Sequence, residues 1–154
     1  LIPVYRMFNV LGLYDTRIGL VLVYSAICIP FSLFVYRGFY TTIPREIEEA
    51  AKLDGCGPVR SFLEVFLPQS LPPTAVVGLF QATWIWNDLL FGMVLSRTEK
   101  VRPIMVAVAT MTGYGGGNIP WIMTAVIFTS IPTVLLFVWL RRYFIQGMVM
   151  SISA

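Results

Sequence analysis

The stretch TIPREIEEAAKLDGCGPVRSFLEVFLP (residues 42–68) gathers acidic and basic side chains in a chain that is otherwise apolar. Of the 154 residues, 57% are hydrophobic and 12% are charged, and the mean hydropathy is +0.78. An average soluble domain has about 25% charged residues, so this composition indicates a membrane protein. We call residues 42–68 the charged island, and the apolar runs around it predict the fold.

Two uncharged runs border the charged island. One covers residues 18–36 and precedes it, and the other covers residues 65–87 and begins inside it. A helix needs about 20 apolar residues to cross a bilayer, so each run accounts for one crossing. We therefore predict membrane spans over about residues 18–36 and 71–95.

A third uncharged run, residues 103–140, is too long for one crossing. Its glycines and a proline at residues 113–120 interrupt any helix there, so residues 121–140 are predicted as the third span. The piece at residues 103–112 is too short to cross and is predicted to form a short interfacial or re-entrant helix.

The chain opens directly in an apolar segment, residues 1–13, without an initiator Met or the basic start of a signal peptide. We interpret this segment as part of an earlier helix. The predicted fold class is all-α: one polytopic transmembrane bundle over residues 1–154, surrounded by membrane lipid. We expect it to be a C-terminal fragment with three full spans and part of an earlier one.

The lysines and arginines near the span ends predict the orientation. Cytoplasmic loops carry the excess of these residues, and more of them lie on the side of the charged island and the C-terminus. That side has Arg37, Arg45, Lys52, Arg60, Arg141 and Arg142, and the opposite side has Arg17, Arg97, Lys100 and Arg102. We predict a cytoplasmic charged island and C-terminus in the cell membrane, and an outer loop over residues 96–120.

Composition also excludes several functions. The net charge is +3, and the basic residues flank the spans without forming a continuous face, which argues against nucleic-acid binding. The chain has no His, so the usual zinc and proton-shuttle ligand is missing. Cys28 falls in a span and Cys56 in the charged island, which argues against a disulfide. We expect no cofactor, no metal and no catalytic residue.

The charged island is predicted to begin with a short helix. Thr41 or Thr42 is a candidate N-cap, Pro44 suits the first turn, and Gly55 suits a left-handed C-terminal stop. Such a short helix is unstable alone in water, so it needs something to pack against.

One face of this helix combines small and acidic side chains. Ile47, Ala50, Ala51 and Asp54 follow the helical spacing, and the alanines would let a partner approach closely. A second helix is predicted to begin at Pro58 and to stop at residue 68. These patterns fit a docking element or an amphipathic linker that lies on the membrane without a partner.

A longer pattern in the island resembles the EAA loop of ABC-importer permeases. Glu49, Ala50 and Ala51 are followed at the family's spacing by Gly55 and then by Val-Phe-Leu-Pro at residues 65–68, with Val in place of the usual Ile. The stretches WIWNDLLFGMVLS (residues 84–96) and RRYFIQGM (residues 141–148) are similar to the maltose-type sugar permease branch. The ending VMSISA departs from that family.

This resemblance implies a subunit of about six spans, of which this chain would be the later part. Two such subunits, one of them a second permease subunit, would form the pore for a sugar. A pair of ABC ATPase subunits would lie below it, and an extracytoplasmic solute-binding protein would deliver the sugar. The EAA helix would be the coupling helix, with polar contacts from Glu49 and Asp54, close packing at Ala50 and Ala51, and the turn at Gly55.

A polar stripe in the second predicted span is a candidate lining of the translocation path. Helical spacing places its members on one face: Gln81, Trp84, Asn87, Asp88 and Phe91. An aromatic ring beside amide and carboxylate groups suits a sugar. Asp88 also lies near the outer end of the span, where capping acids are ordinary, so it could line the path or cap a helix.

Three other functions fit parts of the pattern. A membrane-embedded enzyme could use Asp88, but the acids of the charged island lie toward the opposite face of the bilayer. A secondary transporter would also have an intramembrane carboxylate, but it needs no cytoplasmic docking helix. An ABC permease for a solute other than a sugar would carry the same EAA loop.

Overall fold

The computed structural model describes residues 1–111 and 118–152, with side chains up to residue 139. Most of these residues lie in ten helical segments. Within these ranges there is no strand, so the all-α prediction is confirmed. The helices are α1 (Ile2–Val10), α2 (Arg17–Thr41), α3 (Arg45–Leu53), α4 (Pro58–Ser61), a π-helical turn (Phe62–Phe66), α5 (Leu67–Gln69), α6 (Leu71–Trp86), α7 (Leu90–Leu95), α8 (Ile104–Met111) and α9 (Ile119–Ile152).

Two of these helices are long and apolar enough to cross a membrane. They are α2, with 25 residues, and the part of α9 from Ile119–Trp139, with 21 residues. They contain the uncharged runs that predicted the first and third spans, and α2 continues beyond residue 36 to Thr41. The short helix expected at residues 103–112 corresponds to α8. The glycine-rich break at residues 113–120 lies mostly outside the described residues.

The second predicted span, residues 71–95, is not one helix. The helix α6 has 16 residues and ends at Trp86, and α7 begins at Leu90. The Asn87 amide donates to the Thr83 carbonyl at 2.7 Å, and the Asp88 carboxylate accepts the backbone N–H groups that open α7. Asn and Asp side chains compete with backbone hydrogen bonds in this way, which explains the break.

The second helix of the charged island was predicted to run from Pro58 to Pro68, and it ends one residue later, at Gln69, so that Pro68 lies within it. The chain stays helical from Pro58 to Gln69 and resumes at Leu71. Proline lacks an N–H and its ring crowds the carbonyl of the preceding turn. Here the turn before it is a wider π turn, closed by a hydrogen bond from Leu67 N–H to the Phe62 carbonyl, so Pro68 fits in the first turn of α5.

The described chain forms two compact units, Leu1–Cys28 with Gln81–Val138, and Ile29–Phe80 with Trp139–Ala154. The first unit has a small buried core of Phe8, Leu20, Val23 and Leu95. Along α9 up to Trp139, most large apolar side chains are exposed, as shown by Phe128 and Trp139 at 66% each. Surfaces of this kind suit a lipid environment.

Candidate functional site

The charged island presents α3, nine residues long, between α2 and α4. Glu46 and Glu48 lie in its first turn and Lys52 in its last, which is the charge order that a helix dipole favours. A helix of this length depends on its flanking turns and on packing for stability.

The start of α3 differs from the sequence prediction, because neither threonine caps it. The Thr41 hydroxyl donates to the Gly38 carbonyl at 2.8 Å, and the Thr42 hydroxyl donates to the Phe39 carbonyl at 2.7 Å. Both therefore satisfy carbonyls at the end of α2, which lack partners in the helix. Pro44 occupies the N-cap position of α3 without a side-chain hydrogen bond.

The end of α3 has the expected left-handed glycine. Gly55 has φ +77°, its N–H donates to the Lys52 carbonyl at 3.1 Å, and the Cys56 N–H donates to the Ala51 carbonyl at 3.0 Å. This pair of bonds is a Schellman motif, in which the left-handed residue costs least as glycine. The turn sends the chain from α3 into α4, against which α3 packs.

The face predicted for α3 does not lie on one side of the structure, because some of its residues are buried and others are exposed. Ala51 is 4% exposed and Ile47 is half-buried, so both face their own chain. The exposed face instead holds residues at helical spacing: Glu46, Glu49, Ala50 and Leu53. Leu53, an apolar side chain at the end of a charged helix, is 89% exposed. Asp54, which follows it, is also exposed.

The charges of the charged island are partly paired within the chain. Lys52 Nζ lies 2.7 Å from a Glu48 carboxylate oxygen, and this hydrogen bond holds the pKa of the Glu48 carboxyl below its usual value. Glu46 and Glu49 form no ion pair with any described residue. Of the three glutamates in α3, these two are free to meet basic groups of a partner.

Among the candidate path residues, Gln81 is engaged by its own chain. Its amide oxygen accepts from Cys28 Sγ at 2.9 Å, and its amide nitrogen donates to the Cys28 carbonyl at 2.9 Å. Trp84 is 43% exposed, and Asn87 is exposed beyond its bond to Thr83. Trp84 and Asn87 are therefore the members of the stripe with open surface.

Asp88 has a capping role in the structure. Its carboxylate accepts the Tyr24 hydroxyl at 2.9 Å and the backbone N–H groups of Phe91 and Gly92 at 3.1 Å each. These bonds fasten the start of α7 and tie it to α2, as expected of the second alternative considered for this acid. Because α6 ends at Trp86, Asp88 and Phe91 do not continue the helical face of Gln81 and Trp84.

Sequence reasoning missed Asp15, which joins two connections distant in sequence. Its carboxylate accepts the backbone N–H of Arg97 at 2.8 Å, and the N–H and hydroxyl of Thr98 at 3.0 and 3.2 Å. Its own N–H donates to the Leu95 carbonyl at 3.0 Å. These hydrogen bonds, those from the Thr98 and Arg97 backbones first, lower the pKa of the Asp15 carboxyl.

Trp86 is a second residue that the sequence did not single out. Its indole N–H donates to the Thr129 carbonyl at 2.9 Å, and so links α6 to α9. The neighbouring Trp84 was chosen for its helical spacing with Gln81. Only the spatial position of Thr129 distinguishes the structural tryptophan from the exposed one.

The residues that the structure describes form an all-α chain with two helices long and apolar enough to cross a membrane, and a charged connection follows the first of them. Residues 1–150 match the family model of the binding-protein-dependent transport system inner membrane component. The chain belongs to this family.

Individual relatives agree with this assignment. The chain is 39% identical to a probable ABC transporter permease protein of Pyrococcus horikoshii, over 96% of this chain and 54% of the relative. It is 33% identical to the melibiose/raffinose/stachyose import permease protein MelC of Bacillus subtilis, with the same coverage. The chain thus spans about half the length of the curated relatives it matches.

A solved structure has the same fold. It belongs to a bacterial ABC transporter involved in the import of the acidic polysaccharide alginate, and it superposes with a TM-score of 0.81. The match covers 94% of this chain and 56% of that one, at 24% sequence identity. At this identity the likeness concerns the fold.

Proposed function

We propose that this chain is part of a permease subunit of an ATP-driven importer, and that its cargo is a sugar. It would form half of a translocation path with a second permease subunit. ATP hydrolysis would take place on partner ATPase subunits, and an extracytoplasmic solute-binding protein would supply the sugar. The sugar class is supported by the import permease named for melibiose, raffinose and stachyose, which is 33% identical to this chain.

The observation that carries this proposal is the geometry of α3. It is a short helix with two unpaired acids and an 89% exposed leucine, and it follows a helix of membrane-spanning length. An isolated linker helix would turn its apolar side chain toward its own chain or the membrane. An exposed Leu53 flanked by acids suits a partner groove with an apolar pocket and a basic rim.

The docking surface of α3 would therefore be Glu46, Glu49, Ala50 and Leu53, with Asp54 at its edge. Ala51 would act within the subunit, because it is buried where α3 turns toward α4. Gly55 would fix the angle at which the chain leaves the docked helix. Closure of the ATPase pair on binding ATP would move α3, and the helices continuous with it would shift between two states. The charged island and the C-terminus would then be cytoplasmic.

Uptake by the full-length subunit, reconstituted in vesicles with the proteins that copurify with it, tests the proposal. We expect sugar uptake that needs ATP and stops with vanadate. Glu49→Lys reverses a charge at the partner groove, and Gly55→Leu forces a side chain into left-handed backbone. Each should leave the subunit inserted but reduce uptake and ATPase stimulation at least tenfold. Glu64→Gln, which alters a glutamate paired within the chain to Arg60, is the control and should retain both activities.

Uptake that continues without ATP would instead indicate a secondary transporter. Normal uptake by both the Glu49 and Gly55 variants would overturn the role given to α3. ATP hydrolysis by this subunit alone would overturn the assignment of hydrolysis to partner subunits.

The translocation path would be lined in part by Trp84 and Asn87, whose side chains have open surface, while Gln81 and Asp88 would hold the wall in place. An exposed indole suits the apolar face of a sugar ring, and an amide suits its hydroxyls. Trp84→Ala should raise the KM for sugar uptake roughly two- to tenfold, the equivalent of about 0.5–1.5 kcal/mol of aromatic contact. Vanadate-sensitive ATPase activity should persist.

Trp86→Phe is the matched control, since it removes the indole N–H that bonds to Thr129. It should lower thermal stability and leave KM unchanged. If Trp84→Ala leaves KM unchanged as well, Trp84 does not contact the sugar.

A further inference from the structure

Two tyrosines near the end of α2 form hydrogen bonds with the segment that follows α3. Tyr36 and Tyr40 are one helical turn apart, and each pairs with a hydroxyl on the other side. The Tyr36 hydroxyl lies 2.8 Å from Thr74 Oγ1, and the Tyr40 hydroxyl lies 2.7 Å from Ser70 Oγ. Since the partners are also four residues apart, the two bonds run side by side between α2 and residues 70–74. We call these four residues the tyrosine clamp and the two bonds its rungs.

The direction of each hydrogen bond follows from the second bond that each partner makes. The Ser70 hydroxyl donates to the Phe66 carbonyl at 2.7 Å, and the Thr74 hydroxyl donates to the Ser70 carbonyl at 2.6 Å. A hydroxyl has one proton, so in both rungs the tyrosine is the donor and the Ser or Thr oxygen is the acceptor. Loss of a tyrosine hydroxyl therefore removes one rung and leaves the partner's own bond intact.

The tyrosine rings add contacts around these bonds. The rings of Tyr36 and Tyr40 stack with centroids 6.3 Å apart, and Tyr40 meets Phe66 edge-on at 6.3 Å. Phe66 is the last residue of the π turn, and Ser70 is 1% exposed. The inner rung is thus shielded from solvent, where a hydrogen bond is harder to exchange for one with water.

The segment that needs bracing is the one that leads away from α3. Residues 58–70 contain the π turn, Pro68 and a residue outside the helix, Ser70, before α6 begins. A π turn interrupts the regular series of helical hydrogen bonds. This segment alone is therefore less rigid than a regular helix, and it would transmit a movement of α3 less well. The clamp fixes it to α2 at the point where the series is interrupted.

We propose that the tyrosine clamp transmits the movement of α3 to the membrane helices, with Tyr40 as the main positioning residue and Tyr36 as the second. This inference rests on the proposed function. Along the chain, a displacement of α3 reaches α2 through residues 42–44 and reaches the start of α6 through residues 54–70. With the clamp closed, α2 and the start of α6 move together. When the hydrogen bonds of the clamp are lost, ATP hydrolysis continues but α6 moves less than α2.

The test measures sugar uptake and ATP hydrolysis in the reconstituted full complex and compares their ratio. Tyr40→Phe keeps the ring and removes the shielded rung. We expect the uptake per ATP hydrolysed to fall about fivefold, which corresponds to the loss of about 1 kcal/mol. Tyr36→Phe should give a smaller drop, because its rung to Thr74 is exposed. Subunit assembly and the rate of ATP hydrolysis should stay within twofold of the wild type.

The acceptor side provides independent variants. Thr74→Val should match Tyr36→Phe, and Thr74→Ser, which keeps the hydroxyl, should behave as the wild type. Combining Tyr40→Phe with Ser70→Ala should reduce the ratio no further than the stronger single variant, because both remove the same bond. Tyr14→Phe, which removes the hydroxyl of a tyrosine in the α1–α2 connection, is the control and should leave the ratio unchanged.

Three results would overturn the inference. If Tyr40→Phe lowers thermal stability while uptake and hydrolysis fall in proportion, the clamp is only structural. If the ratio is unchanged in the clamp variants of a complex with normal ATP-driven uptake, the clamp alone is refuted. If the wild-type complex shows no ATP-driven uptake, the proposed function fails and the clamp with it.

Discussion

At the scale of single residues, Asp15 shows how much one side chain can organise. It has φ 55°, a left-handed backbone that Asp tolerates better than most residues. Its carboxylate accepts three hydrogen bonds from Arg97 and Thr98. Beside it, Arg17 donates to the Lys100 carbonyl at 3.3 Å. These bonds hold together two connections that the sequence predicts to lie on the same, outer side.

The lowered pKa of Asp15 gives a prediction about pH. A carboxyl whose folded pKa lies below the ordinary 3.8 contributes stability above that value and loses it as the pH falls through the folded pKa. Asp15→Asn should therefore lower the Tm of the purified subunit by a few degrees at pH 7. The difference from the wild type should shrink as the pH falls below 3.8.

Thermal unfolding in detergent at a series of pH values measures this difference in Tm between Asp15→Asn and the wild type. Glu99→Gln removes a neighbouring exposed acid in the same connection and should follow the wild-type curve. Equal Tm values for Asp15→Asn and wild type at pH 7 would show that the carboxylate does not hold the connections together.

Residues differ in how far the sequence predicts their role. The left-handed turn at Gly55 follows a local rule, because a glycine at the end of a predicted helix is enough to predict it. The structure confirms this turn, with Gly55 at φ +77°. The sequence left two possible roles for Asp88, because its partner Tyr24 lies 64 positions away in the chain. Asp15 was overlooked for the same reason, as its partner Thr98 is 83 positions away.

At the scale of helices, hydrophobic run lengths predicted α2, α8 and most of α9. They failed where a side chain or a turn competes with the helix. Asn87 and Asp88 divide the second predicted span into α6 and α7, although their neighbours are apolar enough to continue a helix. Pro68 was expected to end a helix, but the π turn before it accommodates the ring. The composition of the runs predicts neither the break at Asn87 and Asp88 nor the π turn before Pro68.

The charged island was predicted correctly in outline and incorrectly in its faces. Helical spacing grouped Ile47, Ala50, Ala51 and Asp54, but α3 is too short for spacing alone to say which side turns inward. The Schellman turn and the packing of α4 bury Ala51 and leave Leu53 exposed. The exposed side of α3 was therefore not predictable from the period of the sequence.

At the scale of the whole molecule, the family match over residues 1–150 and the shared fold establish an integral membrane component of a binding-protein-dependent transport system. In the function proposed for this chain, α3 would receive energy from a partner outside the membrane. The features of α3 that suit this role are its paired Glu48, its unpaired Glu46 and Glu49, and its exposed Leu53. The central claim is that this face docks on an ATPase.

Site-specific photo-cross-linking in membranes that contain the full-length subunit and its partners tests this claim most directly. A photoreactive residue placed at Leu53 lies on the exposed face, and one placed at Ile47 lies on the half-buried side of the same helix. We predict a cross-link from position 53 to an ATPase subunit and none from position 47. A functional subunit that cross-links from position 53 only to lipid, or to a protein without ATPase activity, would contradict the claim.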